Sequence, residues 1–180
     1  MKILLVVDVQ KDFIDGALGS EAAQKVLPAI KDYVEKFRKD DNNKIIFTQD
    51  RHDNCYDYEN TIEALRIPPH CVANEIGSAI MVPITAQENV IQKDSFMMDL
   101  EDAKDISAII DCNYGVDVEI EIIGYCTDIC VISNALLLRK VCPCNKITII
   151  ENLCAGTSEE AHKAALTIAK SCLIDVRTEE

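Results

Sequence analysis

Ile120-Glu121-Ile122-Ile123-Gly124-Tyr125-Cys126-Thr127-Asp128-Ile129-Cys130-Val131 is the stretch on which the fold turns. An apolar, β-branched run leads into Gly124, a short polar turn follows, and apolar residues then continue with helical character. This is a strand, a turn and a helix, with Cys130 expected in the first helical turn. A thiol there feels the partial positive charge of the helix N-terminus, which favours the thiolate. Backbone N–H groups in that turn lack intrahelical partners and can bind a developing oxyanion. A small apolar core cysteine in an ordinary strand–helix joint would look the same in isolation. The neighbouring stretches decide between the two.

Working outward, Met1 to Val7 is a near-continuous apolar run, the pattern of a strand buried on both faces, and it stops at Asp8. Gln10 to Ser20, with Gly16 and Gly19, reads as loop. Pro28 suits the first turn of a helix, and Ile30, Tyr33, Val34 and Phe37 give that helix one apolar face. Lys44 to Gln49 is a strand ending at Asp50. Arg51 to Pro83 reads as irregular, and a segment of that length inside a domain is usually functional. Asn89 to Gln92 is a short strand ending at Lys93, and a helix follows over about Glu101 to Cys112. After the Cys130 helix come a strand over Lys146 to Ile150, a helix capped by Ser158 or Thr157, and a last strand over Leu173 to Val176. Ala161, Ala164, Ala165 and Ile168 are read as the inward face of that last helix, and His162 as a surface residue. Strands alternating with helices, most strands apolar throughout, argue an α/β fold with a parallel sheet between two helical layers. Ligands in such sheets sit at the carboxyl ends of the strands. Asp8, Asp50, Lys93 and the Cys130 turn all fall there.

Composition narrows the function. The 180 residues are expected to form one domain, 1–180, and 48% hydrophobic with 27% charged residues is the balance of a soluble globular protein. A net charge of −13 argues against nucleic acid and anionic membranes as partners. No apolar run approaches the ~20 residues of a membrane span, and Ile3 to Val7 is too short for a signal peptide. Nine cysteines without a regular framework point to a reducing cytoplasm. Cys142-Pro143-Cys144 lacks a second pair at zinc-finger spacing.

Asp8, Lys93 and Cys130 make a chemically complete set. A carboxylate can take the thiol proton, an ammonium can hold both anions, and the thiolate can attack an acyl carbon. Asp8 would then protonate the leaving amine and serve as base when water hydrolyses the thioester. Asp50, His52 and His70 form a second group. Two imidazoles and a carboxylate suit zinc, iron or manganese with positions left open, and Glu63 or Glu59 could supply a fourth ligand.

These residues together resemble the isochorismatase-like cysteine hydrolases, and within them the nicotinamidase/pyrazinamidase branch, over nearly the whole chain. The motifs are Leu5-Val6-Val7-Asp8-Val9-Gln10-Lys11-Asp12-Phe13, Thr48-Gln49-Asp50-Arg51-His52, Pro69-His70-Cys71, Lys93-Asp94-Ser95-Phe96 and Gly124 to Val131, the last being the most specific. Ala155-Gly156-Thr157 resembles the late strand–helix connection. The resemblance implies a three-layer α-β-α fold with a six-stranded parallel sheet and an Asp8-Lys93-Cys130 triad. It also implies an oxyanion hole from the N–H groups of Cys126 and Cys130, and a cis peptide joining Tyr125 to Cys126. One divalent metal, zinc first, would be held by Asp50, His52, His70 and Glu63, and would bind the pyridine nitrogen of nicotinamide. A homo-oligomer is a further family-level expectation. Several nicotinamidases place an aromatic where this chain has Ile67, and the chain has no Trp. Phe13, Phe96 and Ile129 are left with Ile67 to wall the pocket. The alternatives are a hydrolase of another small amide and a non-catalytic binding domain of the same fold. A thiol redox protein is a distant fourth reading, because no C-x-x-C stands near the turn.

Overall fold

The computed structural model describes residues 1–52, 61–111 and 117–179. Its centre is β1 (Lys2–Val7), whose side chains alternate between two cores. Ile3, Leu5 and Val7 point into one core, and Leu4 and Val6 into the other, which is why this strand reads as an unbroken apolar run. The other strands are β2 (Lys44–Asp50), β3 (Asn89–Lys93), β4 (Glu119–Tyr125), β5 (Lys146–Ala155) and β6 (Asp175–Arg177). They pair in parallel in the order β3-β2-β1-β4-β5-β6. The chain leaves β1 in one direction and returns on its other side at β4. The crevice between the carboxyl ends of β1 and β4 is therefore the topological switch point of the sheet.

Helices cover both faces. One core takes Ala103 and Ile106 of α4 (Leu100–Asp111), Ala135 and Leu138 of α5 (Ile132–Val141), and Ala165, Leu166 and Ala169 of α6 (Glu159–Ser171). The other takes Phe13 of α1 (Lys11–Ile14) and Ile30, Tyr33, Val34 and Phe37 of α2 (Glu21–Phe37). A short α3 (Ile62–Arg66) and a 3₁₀ turn (Ile76–Ser78) break up the long connection after β2. The result is a three-layer α-β-α fold, as the sequence implies. No helix among the described residues is long and apolar enough to cross a membrane.

Several local expectations need correction. Pro28 sits well inside α2, because Ser20 starts the helix by accepting the Ala23 N–H at 3.1 Å. Pro28 and Gln24, whose carbonyl loses its helical partner, are both exposed, so the gap in the ladder lies on the solvent side of the helix. Gln10 to Ser20 contains α1. The strand β5 runs on to Ala155 through a register shift against β4, and the last strand begins two residues later than expected. Ser158 caps α6, accepting the Ala161 N–H at 3.1 Å. The buried stripe of α6 is Ala165, Leu166 and Ala169, whereas Ile168 is half exposed, so the inward face is rotated from the one read in the sequence. The expected helix end at Cys112 lies outside the described residues.

Candidate functional site

The site is built at the switch point, from residues that end strands. Asp8 follows β1 with a positive φ of 47°, a conformation uncommon outside glycine and found most often for Asp and Asn. It is fully buried, and Thr48 fixes it from β2, donating Oγ1–H to Asp8 Oδ1 at 2.6 Å and accepting the Asp8 N–H at 3.2 Å. Gly124, next to last in β4, has φ +124°, and a Cβ there would lie 2.0 Å from the Val7 carbonyl oxygen. Only glycine lets β4 approach β1 at this level. Beyond it the Tyr125–Cys126 peptide is cis, as the resemblance implies.

Cys130 does not open an α-helix. It lies in a single π turn, Thr127–Val131, which leads into α5. The Cys126 carbonyl accepts the N–H groups of Ile129 at 3.1 Å and Val131 at 3.0 Å, with Cys130 between them in sequence. Turns of this kind are rare inside helices and cluster at functional sites. The buried Asn134 ties the turn to the segment after β3. Its Nδ2 donates to the Cys130 carbonyl at 2.7 Å and to the Phe96 carbonyl at 3.3 Å, and its Oδ1 accepts the Met98 N–H at 2.9 Å.

Lys93 joins the parts. Its buried Nζ is 2.8 Å from Asp8 Oδ2, 3.4 Å from Asp50 Oδ1 and 3.9 Å from Cys130 Sγ, and it donates to the Ser95 carbonyl at 2.8 Å. Burial works against the ammonium, but Asp8, Cys130 and Asp50 outweigh it and raise its pKa, so Lys93 stays charged. Burial raises the Asp8 carboxyl against the pull of Lys93. Burial likewise raises the Cys130 thiol well above its usual value; Asp8 adds to the shift and Lys93 opposes it. The helix N-terminus and the lysine are read in the sequence as favouring the thiolate; burial acts in the opposite direction. Burial of an anion beside Asp8 works against ionisation more strongly than the one shared ammonium favours it.

The metal-type group is equally compact. Ligand atoms of Asp50, His52 and His70 all lie within 4.8 Å of one another, and the three residues are buried. Asp50 Oδ2 is 3.2 Å from Nε2 of both His52 and His70. His70 Nδ1 lies 3.0 Å from the Pro68 carbonyl, which can only accept. That contact makes Nδ1 the donor to Pro68, so Nε2, which faces Asp50, is the nitrogen that would serve a metal. Glu63 Oε1 comes within 3.8 Å of His70 Nε2. Burial opposes ionisation of Asp50, but hydrogen bonds from His52 and His70 and the charge of Lys93 hold its carboxyl well below the usual range. Two buried imidazoles beside an ionised carboxylate are the donor set of a divalent transition metal, so these residues fit such an ion. Glu59 lies outside the described residues.

Two residues that sequence reasoning passed over organise this group. Gln10 pairs with both backbone groups of Asp50: its Nε2 donates to the Asp50 carbonyl and its Oε1 accepts the Asp50 N–H, each at 2.8 Å. Asp12 Oδ2 accepts the Cys71 N–H at 2.8 Å and so fastens the segment carrying His70. The signal available was their spacing from Asp8, at the same strand end. His162 is the third correction. It is half-buried rather than a surface residue, and its Nδ1 lies 2.8 Å from Thr127 Oγ1. The rotated face of α6 explains this, since His162, Ala165, Leu166 and Ala169 stand at i, i+3, i+4 and i+7.

Cys130 and Asp50 open onto a cavity of about 420 Å³. Phe13, Ile67, Phe96 and Ile129 all line it, together with Cys126, Glu63 and His70. Phe13 meets the His70 ring edge-on at 5.5 Å between centroids, while Phe96 is 39% exposed at the rim.

Comparison with known proteins gives a consistent picture. The family model for the isochorismatase domain matches residues 2–180. The pyrazinamidase of Pyrococcus horikoshii in complex with zinc is 26% identical, with a TM-score of 0.83 over 99% of each chain. The nicotinamidase from Bacillus subtilis is 24% identical, with a TM-score of 0.78 over 98% of each chain. The pyrazinamidase/nicotinamidase from Streptococcus mutans is also 24% identical, with a TM-score of 0.79 over 98% of this chain and 99% of that one. At these identities the last two speak to the fold. A comparison with curated proteins found no match.

Proposed function

The chain belongs to the isochorismatase family, and from that premise we propose that it is a metal-dependent cysteine amidohydrolase that converts nicotinamide and water to nicotinate and ammonia. The observation that carries this reading is the position of Lys93 Nζ, within 2.8 Å of Asp8, 3.4 Å of Asp50 and 3.9 Å of Cys130. One ammonium joins a general acid/base, a nucleophile and a metal-type group in a single buried site.

In this reading substrate binding displaces water and brings the amide carbon to Cys130. Asp8 takes the thiol proton, Lys93 stabilises the thiolate while it forms, and the thiolate attacks the carbonyl carbon. The N–H groups of Cys126 and Cys130 receive the oxyanion. Asp8 returns the proton to the amine as the C–N bond breaks, releasing ammonia and leaving a thioester on Cys130. Water, deprotonated by Asp8, hydrolyses the thioester and restores the thiol. The burial that raises the thiol suits this sequence, because it favours moving the proton to Asp8 as the thiolate attacks. Asp50, His52 and His70, with Glu63 beside them, would hold the metal. When bound it supplies an electrophilic contact for a ring nitrogen and so orients the amide. Phe13 and Phe96 would flank the ring, with Ile67 and Ile129 closing the apolar wall.

The zinc complex of the Pyrococcus pyrazinamidase supports zinc as the ion, with iron or manganese as alternatives. The metal group also favours a ring amide over a carbamoyl or ureido substrate. Feeding of NAD salvage, a cytoplasmic setting and a homo-oligomer follow from the same reading. Ile67 on the cavity wall favours, as the second reading, another small amide handled by the same triad. The deciding experiment is ammonia release from nicotinamide by purified protein, before and after chelation and after metal restoration. Release that falls on chelation and returns with metal supports the proposal. No release from fully loaded protein moves the substrate to the second reading.

A further inference from the structure

The π turn that carries Cys130 is held from outside, by the start of α6. Thr127, the first residue of the turn, is fully buried, and its Oγ1 lies 2.8 Å from His162 Nδ1. The next residue, Asp128, accepts the Thr157 N–H at 2.8 Å and the Thr157 hydroxyl at 2.5 Å. Close approach makes this possible: a Cβ on Gly156 would lie 2.7 Å from Asp128 Oδ1 and 2.9 Å from the His162 Cβ. A π turn has looser backbone support than an α-helix, so its geometry depends more on side chains that grip it. Docking of α6 does not need this hydrogen bond, because Ala165, Leu166 and Ala169 already bury its inward face. Burial lowers the pKa of His162 despite Glu151 and Asp128 nearby, which favours a neutral ring whose Nδ1 pairs with the Thr127 hydroxyl, itself able to donate or accept.

We propose that His162 is a positioning residue: through its hydrogen bond to Thr127 it fixes the turn that presents Cys130 to Asp8 and Lys93. The inference rests on the reading of Cys130 as nucleophile. It assigns α6, which contributes no cavity-lining side chain, a part in the chemistry. The ring sets the side-chain rotamer of Thr127, and Thr127 sets the peptide between Cys126 and the turn. Cys130 then stands at its 3.9 Å distance from Lys93.

The test compares His162→Ala, His162→Asn and Thr127→Val in the intact protein with its metal bound. The asparagine places an amide near the position of Nδ1, and the valine keeps the threonine shape without its hydroxyl. Two readouts are followed: kcat and KM for nicotinamide, and the rate at which iodoacetamide labels Cys130, resolved from the other cysteines by peptide mass spectrometry. His162→Ala and Thr127→Val are each expected to lower kcat and the Cys130 labelling rate by about tenfold, the rate equivalent of one net hydrogen bond, with KM unchanged. The double variant should lose no more than either alone. His162→Asn should recover both rates to within about threefold. Wild-type rates in His162→Ala, or an asparagine variant as impaired as the alanine one, would overturn the proposal. Labelling separates this failure from failure of the substrate assignment. If wild-type protein releases no ammonia from nicotinamide but Cys130 still labels, the labelling rates decide alone. A wild-type Cys130 that resists labelling overturns both the nucleophile reading and this inference.

Discussion

Two buried charge clusters occupy opposite ends of the sheet, and they are built on opposite terms. Toward the amino ends of β1 and β4, Glu121 is almost completely buried and surrounded by donors: Lys2 at 2.7 Å, Arg177 at 3.1 Å and the Tyr33 hydroxyl. Burial pushes its pKa up, but the hydrogen bonds from Lys2 and Tyr33, aided by Arg177, outweigh it and hold the carboxyl below its ordinary value. At the carboxyl ends, Asp8, Asp50 and Cys130 share the single ammonium of Lys93. There Asp8 and Cys130 are both pushed up. A cluster with donors in excess favours one protonation state and holds chain together, here Arg177 of β6 tied across β5 to Glu121 of β4. A cluster with donors in deficit keeps protons that can still move, and that is what acid–base chemistry needs.

The comparison can be broken most decisively at the deficient end. Cys130→Ala should lower amide turnover by at least about a thousandfold while the melting transition stays in place. Residual turnover above a tenth of wild type would remove Cys130 from the nucleophile role. Next in size, Asp50→Ala or His52→Ala should reduce metal affinity by about a hundredfold or more, read by metal analysis after dialysis. Unchanged metal content would detach these residues from the ion. The donor-rich end should answer differently. Glu121→Ala is expected to cost about 2–3 kcal/mol in urea unfolding and to leave kcat for nicotinamide within about twofold. A large kcat loss at unchanged stability would reverse the assignment of the two clusters.

The smallest effect is in pH. The folded pKa of Glu121 lies below the ordinary 4.5, so below that value the unfolded chain binds the extra proton first. Glu121 therefore contributes stability that is complete above about pH 5 and is lost as pH falls through its folded pKa. Urea melts taken in steps from about pH 5 to pH 3 should show a steeper decline for wild type than for Glu121→Gln. Parallel curves would mean that Glu121 is not held down as described.

Legibility in the sequence followed the same division. Asp8, Lys93 and Cys130 could be grouped because Asp8 and Lys93 fall at strand ends and Cys130 in the turn just beyond one, and parallel strands aim such positions at one edge. Asp50, His52 and His70 were visible as residue types with ligand chemistry. The helix-dipole argument for the thiolate is local, whereas the burial that raises the Cys130 thiol comes from strands distant in sequence. Gln10 and Asn134 were missed because an amide carries no charge and no ligand preference, and its role appears only when two backbones meet. His162 was missed for want of about one helical position. Counting Ile168 as inward turned the α6 stripe away from it, and the structure shows Ile168 half exposed.

Gly124 has no functional group, yet the contact of its missing Cβ with the Val7 carbonyl makes it a spacer for the whole site. A library of single substitutions would score Gly124 alongside Asp8, Lys93 and Cys130, since any side chain must pry apart the strands that lead to Asp8 and Cys130. The chemically silent position would then look essential. Restoring a lost side-chain chemistry from solution, as imidazole or azide does for some truncated catalysts, could not bring it back.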